Sequence, residues 1–370
     1  MKKRILIAFG TRPEALKFVP LIRALKSSSD FVCYVCLTGQ HREMLDQVVR
    51  LFKIKIDADL RLMRANQTLE YVSGRVIAHF GKTIRKINPD LVFVQGDTAT
   101  AVMVALSSYY SKIPIAHLEA GLRTWNKYHP FPEEGNRTII SHLADYHFTP
   151  TPIATRNLLK EGISPKAIYE LGNTIVDTVQ LARPLIKKQY PIFQGIDLKK
   201  KLLFVTAHRR ESFGKGLTEI FSALKQIVQK FKDVEIVYPV HLNPQVSKLA
   251  WRLLGKTKRI HLLRPFTYEE TLWIMDQSHL ILTDSGGIQE EAPSFKKPVF
   301  VLRKCTERPE VLEAGVARLV GNKANEIEAA IGAVLENGAL YESMCSKESP
   351  FGDGRAASRI VEFSERFLSA

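Results

Sequence analysis

The chain has 370 residues, more than one hydrophobic core ordinarily serves, so two domains are expected. Hydrophobic residues make up 45% and charged residues 25%, a globular composition that excludes a disordered chain. The formal charge of +15 raises nucleic acid as a partner, but the basic residues are scattered, as in Lys199-Lys200-Lys201, without interleaved aromatics. No nucleic acid partner is expected, and the basic surface reads as an attractor of small anions.

The opening Met1-Lys-Lys-Arg4 followed by an apolar run imitates a signal peptide, but the run stops at Gly10 and Arg12 and Glu14 follow. No segment has the length of a membrane span, so a cytoplasmic protein with no membrane partner is expected. Four cysteines occur: Cys33, Cys36, Cys305 and Cys345. Cys33 and Cys36 fall within one predicted strand, where residues three apart point to opposite faces, so they neither bridge nor share a metal.

Short apolar runs alternate with amphipathic stretches, the pattern of βα units and parallel sheets. In the first half, strands are predicted at 4–9, 32–37, 91–94, 113–117 and 146–148. Helices are predicted there at 13–26, 42–52, 68–87, 99–110 and 134–143. A second series has strands at 201–206, 235–238, 259–263, 280–282, 299–301 and 318–320. Its helices fall at 217–231, 244–254, 268–277, 288–295 and 325–337. Between the series lie Leu171-Gly-Asn-Thr174, a helix, and a stretch at 189–201 that reads as a hinge. A C-terminal helix at 355–368 follows the turn-rich Pro350-Phe-Gly-Asp-Gly354.

The expected fold class is therefore α/β, with two doubly wound Rossmann-like domains facing across a cleft. The expected domains are 1–170, 171–354, and a helix at 355–370 packing back on the first. Domains of this kind bind ligands outside the carboxyl ends of their strands.

The polar residues fall at those ends. The first strand runs into Gly10-Thr-Arg-Pro-Glu14, with Arg12 at the mouth and Lys17 one helical turn beyond Pro13. This turn lacks the G-x-G-x-x-G pattern of dinucleotide binding. Asp97 follows the strand at 91–94 and is either a functional carboxylate or the cap of the next helix. Glu119 and Arg123 lie just past another strand, and Glu133, Glu134, Asn136 and Arg137 open a helix, where an acidic residue also suits the dipole. Acidic groups converging from separate loops repel one another unless function or cations hold them there.

In the second series, His208 and Arg209 leave a strand end, and His241 repeats the pattern. Thr283-Asp-Ser-Gly-Gly287 is a strand end, a glycine turn and a helix start, where backbone N–H groups can meet a phosphate. Glu291 is placed to accept from a ribose diol, and Arg308 to clamp a diphosphate. Together these residues point to a nucleoside diphosphate.

Ten motifs in order carry a resemblance. They are Gly10-Thr-Arg-Pro-Glu-Ala15, Gln40-His-Arg42, Gly96-Asp-Thr98, His117-Leu-Glu-Ala-Gly-Leu-Arg123 and Pro132-Glu-Glu-Gly-Asn-Arg137. Gly172-Asn-Thr174, Ala207-His-Arg-Arg-Glu211, Tyr238-Pro-Val-His241, Asp284-Ser-Gly-Gly-Ile-Gln-Glu-Glu-Ala-Pro293 and Thr306-Glu-Arg-Pro-Glu310 complete the series. On these residues the chain resembles the non-hydrolysing UDP-N-acetylglucosamine 2-epimerases, relatives of the two-domain glycosyltransferase-B architecture.

The resemblance implies elimination of UDP to 2-acetamidoglucal and its re-addition after a proton arrives on the opposite face. It implies that Asp97, Glu119, Glu133 and His208 are the acid–base and electrostatic groups. Arg12, Lys17, Arg123, Asn136, Arg137, Arg209 and His241 are expected on the substrate, and Ser285, Gly286, Gly287, Glu291 and Arg308 on UDP. A second, regulatory UDP-N-acetylglucosamine site is implied at Gln40, His41, Gln67, Glu133, Arg209 and His241. The chain departs from some members at Glu43 and Asn66, and has Arg303-Lys-Cys305 where Arg-Asp-Thr is usual. The implied partners are UDP-N-acetylglucosamine, UDP and a second copy in a homodimer, with no cofactor and no metal. Two rival readings are a 2-epimerase of a modified UDP-N-acetylhexosamine and a glycosyltransferase of the same architecture.

Overall fold

The structure, a computed structural model, describes residues 2–39, 43–62, 64 and 67–369. It divides into two compact units, Met1–Leu181 with Phe351–Ala370, and Ala182–Pro350.

The first unit is built on strands β1 (Lys3–Phe9), β2 (Phe31–Leu37), β3 (Ala58–Asp59), β4 (Leu91–Gln95), β5 (Ile115–Leu118), β6 (Tyr146–Thr149) and β7 (Ile168–Glu170). They lie in the order β3-β2-β1-β4-β5-β6-β7, every neighbouring pair parallel. Ile5 through Phe9 are all buried, which is why β1 reads as an unbroken apolar run and not an alternation. Helix Leu69–Ile87 places Val72, Val76, Phe80 and Ile84 four residues apart along one face. That face packs on Leu6, Ala8, Val92 and Val94. Burial of a side chain such as Phe80 contributes about 1.5–3 kcal/mol.

The second unit has strands β8 (Lys201–Thr206), β9 (Val234–Pro239), β10 (Ile260–Leu263), β11 (Leu280–Thr283), β12 (Val299–Val301) and β13 (Ala317–Leu319). Their order is β10-β9-β8-β11-β12-β13, again parallel throughout. Leu203, Val205, Ile236 and Tyr238 form a core with Ile220, Phe221, Leu224 and Ile227 of helix Lys215–Lys230.

Counted within each unit, both sheets begin 3-2-1-4-5-6, the doubly wound order, the first adding β7 at its far edge, and the fold is two Rossmann-like α/β units. The order reverses between β1 and β4 in one unit and between β8 and β11 in the other. At each reversal the two neighbouring turns splay apart and leave a crevice at the carboxyl edge.

Two differences from the sequence reading concern the boundary. Residues 171–181 belong to the first unit. Helix Thr174–Ala182 buries Ile175, Val176 and Val179, its Thr178 hydroxyl donates to Leu16 O at 2.5 Å, and Asp177 accepts from Ala356 and Ala357 N–H groups at 3.3 and 2.9 Å. The stretch read as a hinge is a built part of the second unit, where Phe193 stacks on Trp273 with centroids 4.5 Å apart. The C-terminal helix Ala356–Ser369 lies in the first unit, and its Phe363 and Phe367 cover Tyr146 and Tyr169. All four cysteines are free; burial pushes the Cys33 and Cys36 thiols up to about 12. Among the described residues, no helix is long and apolar enough to cross a membrane.

Candidate active site

At the first crevice the turn after β1 enters helix Arg12–Ser27, and Glu14 organises both. Its Oε2 accepts from Gly10 N at 2.9 Å, Thr11 N at 2.8 Å and Thr11 Oγ1 at 2.8 Å, while Oε1 accepts from Thr98 Oγ1 at 2.7 Å. Thr98 lies on the turn after β4, so one buried carboxylate ties together the two turns that form the crevice. Burial raises the Glu14 pKa, and these hydrogen bonds pull it back toward the charged form.

Thr98, and not Asp97, caps helix Ala99–Tyr110, its hydroxyl accepting from Ala101 N at 3.0 Å. Asp97 is thereby released from the capping role the sequence left open. Its Oδ2 instead receives Arg137 Nε at 2.9 Å and Nη2 at 2.8 Å, and its side chain stays 24% exposed, open to a ligand. Asn136 Nδ2 donates to the Asp97 carbonyl at 2.8 Å. Arg137 also reaches Glu134 Oε2 at 2.9 Å, and Glu134 Oε1 accepts from Thr124 and Trp125 N–H groups, each at 2.9 Å. Glu133, half-buried, is the first residue of helix Glu133–Leu143, and Arg12, half-buried, the first of helix Arg12–Ser27.

Glu119, just past β5, has left-handed backbone with φ 63° and is buried. Its carboxylate receives Lys17 Nζ, Gln95 Nε2 and, at 3.4 Å, Asn173 Nδ2. His117, two residues earlier, is buried with Nε2 2.8 Å from Gly96 O; burial, with nearby His147 adding to it, lowers its pKa to about 3. It stands neutral beneath the site.

At the second crevice, Asp284 at the end of β11 is fully buried and accepts from His208 N at 2.5 Å and Arg209 N at 2.7 Å. Its Oδ1 lies 3.4 Å from His208 Nδ1. The His208 ring stacks on His241, centroids 5.1 Å apart and planes 4° from parallel. His241 Nδ1 accepts from Asn243 N at 3.0 Å; partial burial, then the neighbouring His208, lower its pKa.

Next to this pair, Ser285 N donates to Thr283 Oγ1 at 3.0 Å and the chain turns into the short helix Gly286–Glu291. A Cβ at Gly286 would lie 3.8 Å from Arg308 Nη2 and 3.9 Å from Arg209 Nη2. Two guanidiniums therefore converge on a backbone left bare by glycine, an arrangement that receives the oxygens of a phosphate. Arg308 is held by Glu290, and its N–H donates to Thr306 Oγ1 at 3.1 Å. Gly287 is exposed, and Glu291 is buried one turn along. Among the described residues, no three His, Cys, Asp or Glu side chains gather as a metal site.

The family model described as UDP-N-acetylglucosamine 2-epimerase matches residues 23–365. A curated UDP-N-acetylglucosamine 2-epimerase of Escherichia coli strain K12 is 45% identical, covering 97% of each chain. The chain belongs to the UDP-N-acetylglucosamine 2-epimerase family. A solved UDP-GlcNAc 2-epimerase from Neisseria meningitidis bound to UDP-GlcNAc has TM-score 0.93 and 41% identity over 98% of this chain and 100% of that one. Staphylococcus aureus MnaA solved with UDP has TM-score 0.91 and 41% identity, covering 99% of this chain and 97% of its own.

In this epimerase the structure gathers Lys17, Asp97, Glu119, Asn136 and Arg137 around the first crevice. His208, Arg209, His241, Ser285, Gly286 and Arg308 gather around the second. Three residues expected on the substrate serve the protein first. Arg123 is the first: Nε and Nη2 grip Glu161 at 2.7 and 2.6 Å, Nη2 also meets Ser141 and Nη1 its own chain at Leu122 O. All three nitrogens are engaged and the side chain is 1% exposed, the setting of an internal strut. Arg137, shared between Asp97 and Glu134, and Asn136, on the Asp97 carbonyl, likewise brace Asp97. Gln40 and His41 of the expected regulatory set lie outside the described residues; Gln67 is half-buried, with Oε1 accepting from Arg64 N at 3.1 Å.

Sequence reasoning passed over Glu14, Gln95, Asn173 and Asp284. The signal for Asp284 was present: a carboxylate at a strand end, beside a glycine turn and opposite another strand end, has backbone N–H groups to serve. The departure at Lys304-Cys305 falls on exposed positions, whereas Arg303 is buried and paired with Glu211 at 2.6 Å.

Proposed function

We propose that the chain interconverts UDP-N-acetylglucosamine and UDP-N-acetylmannosamine by releasing and recapturing UDP. No carbonyl acidifies the C2 hydrogen of the sugar, so its removal needs a departing group. A base takes the C2 proton while the C1–oxygen bond breaks and its electron pair leaves with UDP, giving 2-acetamidoglucal. A proton then enters C2 from the opposite face, and a diphosphate oxygen of UDP re-forms the bond at C1. Asp97, Glu119, Glu133 and His208 are the acid–base and electrostatic groups, each worth roughly 10²–10⁴-fold in rate. Arg12 and Lys17 serve the sugar and phosphate side; Arg209, His241, Ser285, Gly286, Gly287, Glu291 and Arg308 hold UDP.

What supports this reading is the make-up of the two crevices. Carboxylates held by donors stand at one, and guanidiniums around a bare glycine turn stand at the other. The first suits proton transfer, the second a leaving diphosphate. A proton NMR time course in heavy water with UDP-N-acetylglucosamine alone is the test. Deuterium is expected at C2 of both sugars, with UDP-N-acetylmannosamine appearing. Inversion without C2 deuterium, or with no positional isotope exchange at the glycosyl oxygen, removes the mechanism.

The same reading takes the chain as a cytoplasmic homodimer needing no cofactor or metal, with Gln67, Glu133, Arg209 and His241 also serving a regulatory UDP-N-acetylglucosamine site. Initial rates that rise sigmoidally with substrate, and a two-chain mass by sedimentation, are expected.

A further inference from the structure

We propose that Gln95 and Asn173 are positioning residues for Glu119, holding its carboxylate, with Lys17, in the orientation from which it exchanges a proton with the sugar. The proposal rests on the acid–base role given to Glu119 above.

Gln95 Nε2 donates to Oε2, while Asn173 Nδ2, at 3.4 Å, and Lys17 Nζ donate to Oε1. Both oxygens are thus fixed in direction, and the carboxylate cannot swing. All four residues are less than a tenth exposed: Gln95 3%, Asn173 4%, Lys17 6% and Glu119 8%. Burying the Lys17–Glu119 pair together with two amides is costly. The left-handed backbone of Glu119 adds to that cost, a combination kept where placement matters.

Asn173 is itself pinned. Its Oδ1 accepts from Ile175 N at 3.0 Å, and its N–H donates to Phe351 O at 2.8 Å. Gly172, at φ +93°, lets Phe351 O approach to 3.2 Å of where a Cβ would stand. The Gly172-Asn-Thr174 motif, which the nucleotide site does not use, thereby acquires a function in the first unit.

The test compares Gln95→Met and Asn173→Asp with the parent enzyme. Gln95→Met keeps length and loses the donor. Asn173→Asp keeps the acceptor for Ile175 N, loses the donor and turns a second carboxylate toward Glu119. Each is expected to lower kcat about 10–100-fold with KM within about threefold, as loss of hydrogen bonds to a charged group implies. Lys17 is a charged group bonded to Glu119, and Asp97 lies on the adjacent turn. With both intact, the acid limb of the kcat profile should move up about one pH unit, further in Asn173→Asp. UDP affinity by calorimetry should not change. Parental kcat and pH profile in both variants, or a change confined to KM or UDP affinity, overturns the proposal. Glu119→Gln separates the two failures. If it turns over like the parent, the acid–base role falls and takes this proposal with it. If it is inactive while both amide variants behave as the parent, the positioning alone is wrong.

Discussion

One carboxylate oxygen of Asp284 accepts from the His208 backbone N–H at 2.5 Å, and the other lies 3.4 Å from Nδ1 of the same residue's ring. Asp284 therefore fixes where His208 leaves the sheet, and its second oxygen faces the ring. A carboxylate facing Nδ1 would favour the tautomer protonated there, which leaves Nε2 to accept a proton in the role proposed for His208.

Asp284→Asn tests that arrangement with little change of shape. The amide oxygen can still accept from His208 and Arg209 N–H groups, but its NH₂ then faces Nδ1 and selects the opposite tautomer. A fall in kcat of roughly 10²–10⁴-fold is expected, with a melting temperature close to that of the parent. Parental turnover would show that the tautomer of His208 is immaterial.

Gly286→Ala probes the guanidinium cradle. The added methyl would make ordinary contacts at 3.8–3.9 Å with Arg308 and Arg209, so folding should be unaffected while the space for a phosphate oxygen is filled. UDP affinity should weaken about tenfold or more, equivalent to about 1.4 kcal/mol. Calorimetry with UDP measures this directly, and unchanged binding places the diphosphate elsewhere.

Arg123→Met separates a strut from a ligand group. Removing Arg123 strands Glu161, whose side chain is 12% exposed, and breaking a buried pair costs about 3–5 kcal/mol. The expected outcome is a lowered melting temperature with kcat and KM of the folded enzyme within about twofold. A raised KM at unaltered stability would return Arg123 to the substrate.

His117 is expected to make the enzyme sensitive to acid. Its folded pKa is lowered to about 3, against about 6.5 in the unfolded chain. Above pH ~6.5 neither state binds this proton, and the stability from the neutral ring is complete. As pH falls from there toward 3, the unfolded state gains a proton the folded state refuses, and stability is lost at about 1.4 kcal/mol per pH unit. Denaturant titrations of the parent and His117→Gln at pH 7, 6 and 5 should show the variant losing less. Parallel loss in both would assign the acid sensitivity to other groups.

The central strands of each sheet were legible because parallel strands buried on both faces read as apolar runs, and Lys201–Thr206 and Val299–Val301 begin and end where the residues predict. β3 and β7 were not. Ala58–Asp59 and Ile168–Glu170 are short and partly exposed, made into strands by the neighbours they pair with and not by an apolar pattern. Helix Pro152–Lys160 escaped although Thr151 and Pro152 form a start signal. Among the site residues, charged groups at strand ends could be read one loop at a time. Which of them meet a ligand could not, because Arg123 and Asp97 look alike in sequence and differ only in what folds against them. Glu161, thirty-eight residues away, decides the fate of the first.

The chain leaves the first unit after Leu181, builds the whole of the second, and returns at Phe351. During synthesis, Tyr146 and Tyr169 therefore lack the cover of Phe363 and Phe367 until the last helix emerges. The half of the enzyme made first is the last to be finished, whereas Ala182–Pro350 has all its strands before that moment. A chain stopped after Pro350 should resist protease across 201–350 and be cut within 1–181; the reverse pattern would show that the returning helix is dispensable to the unit it closes.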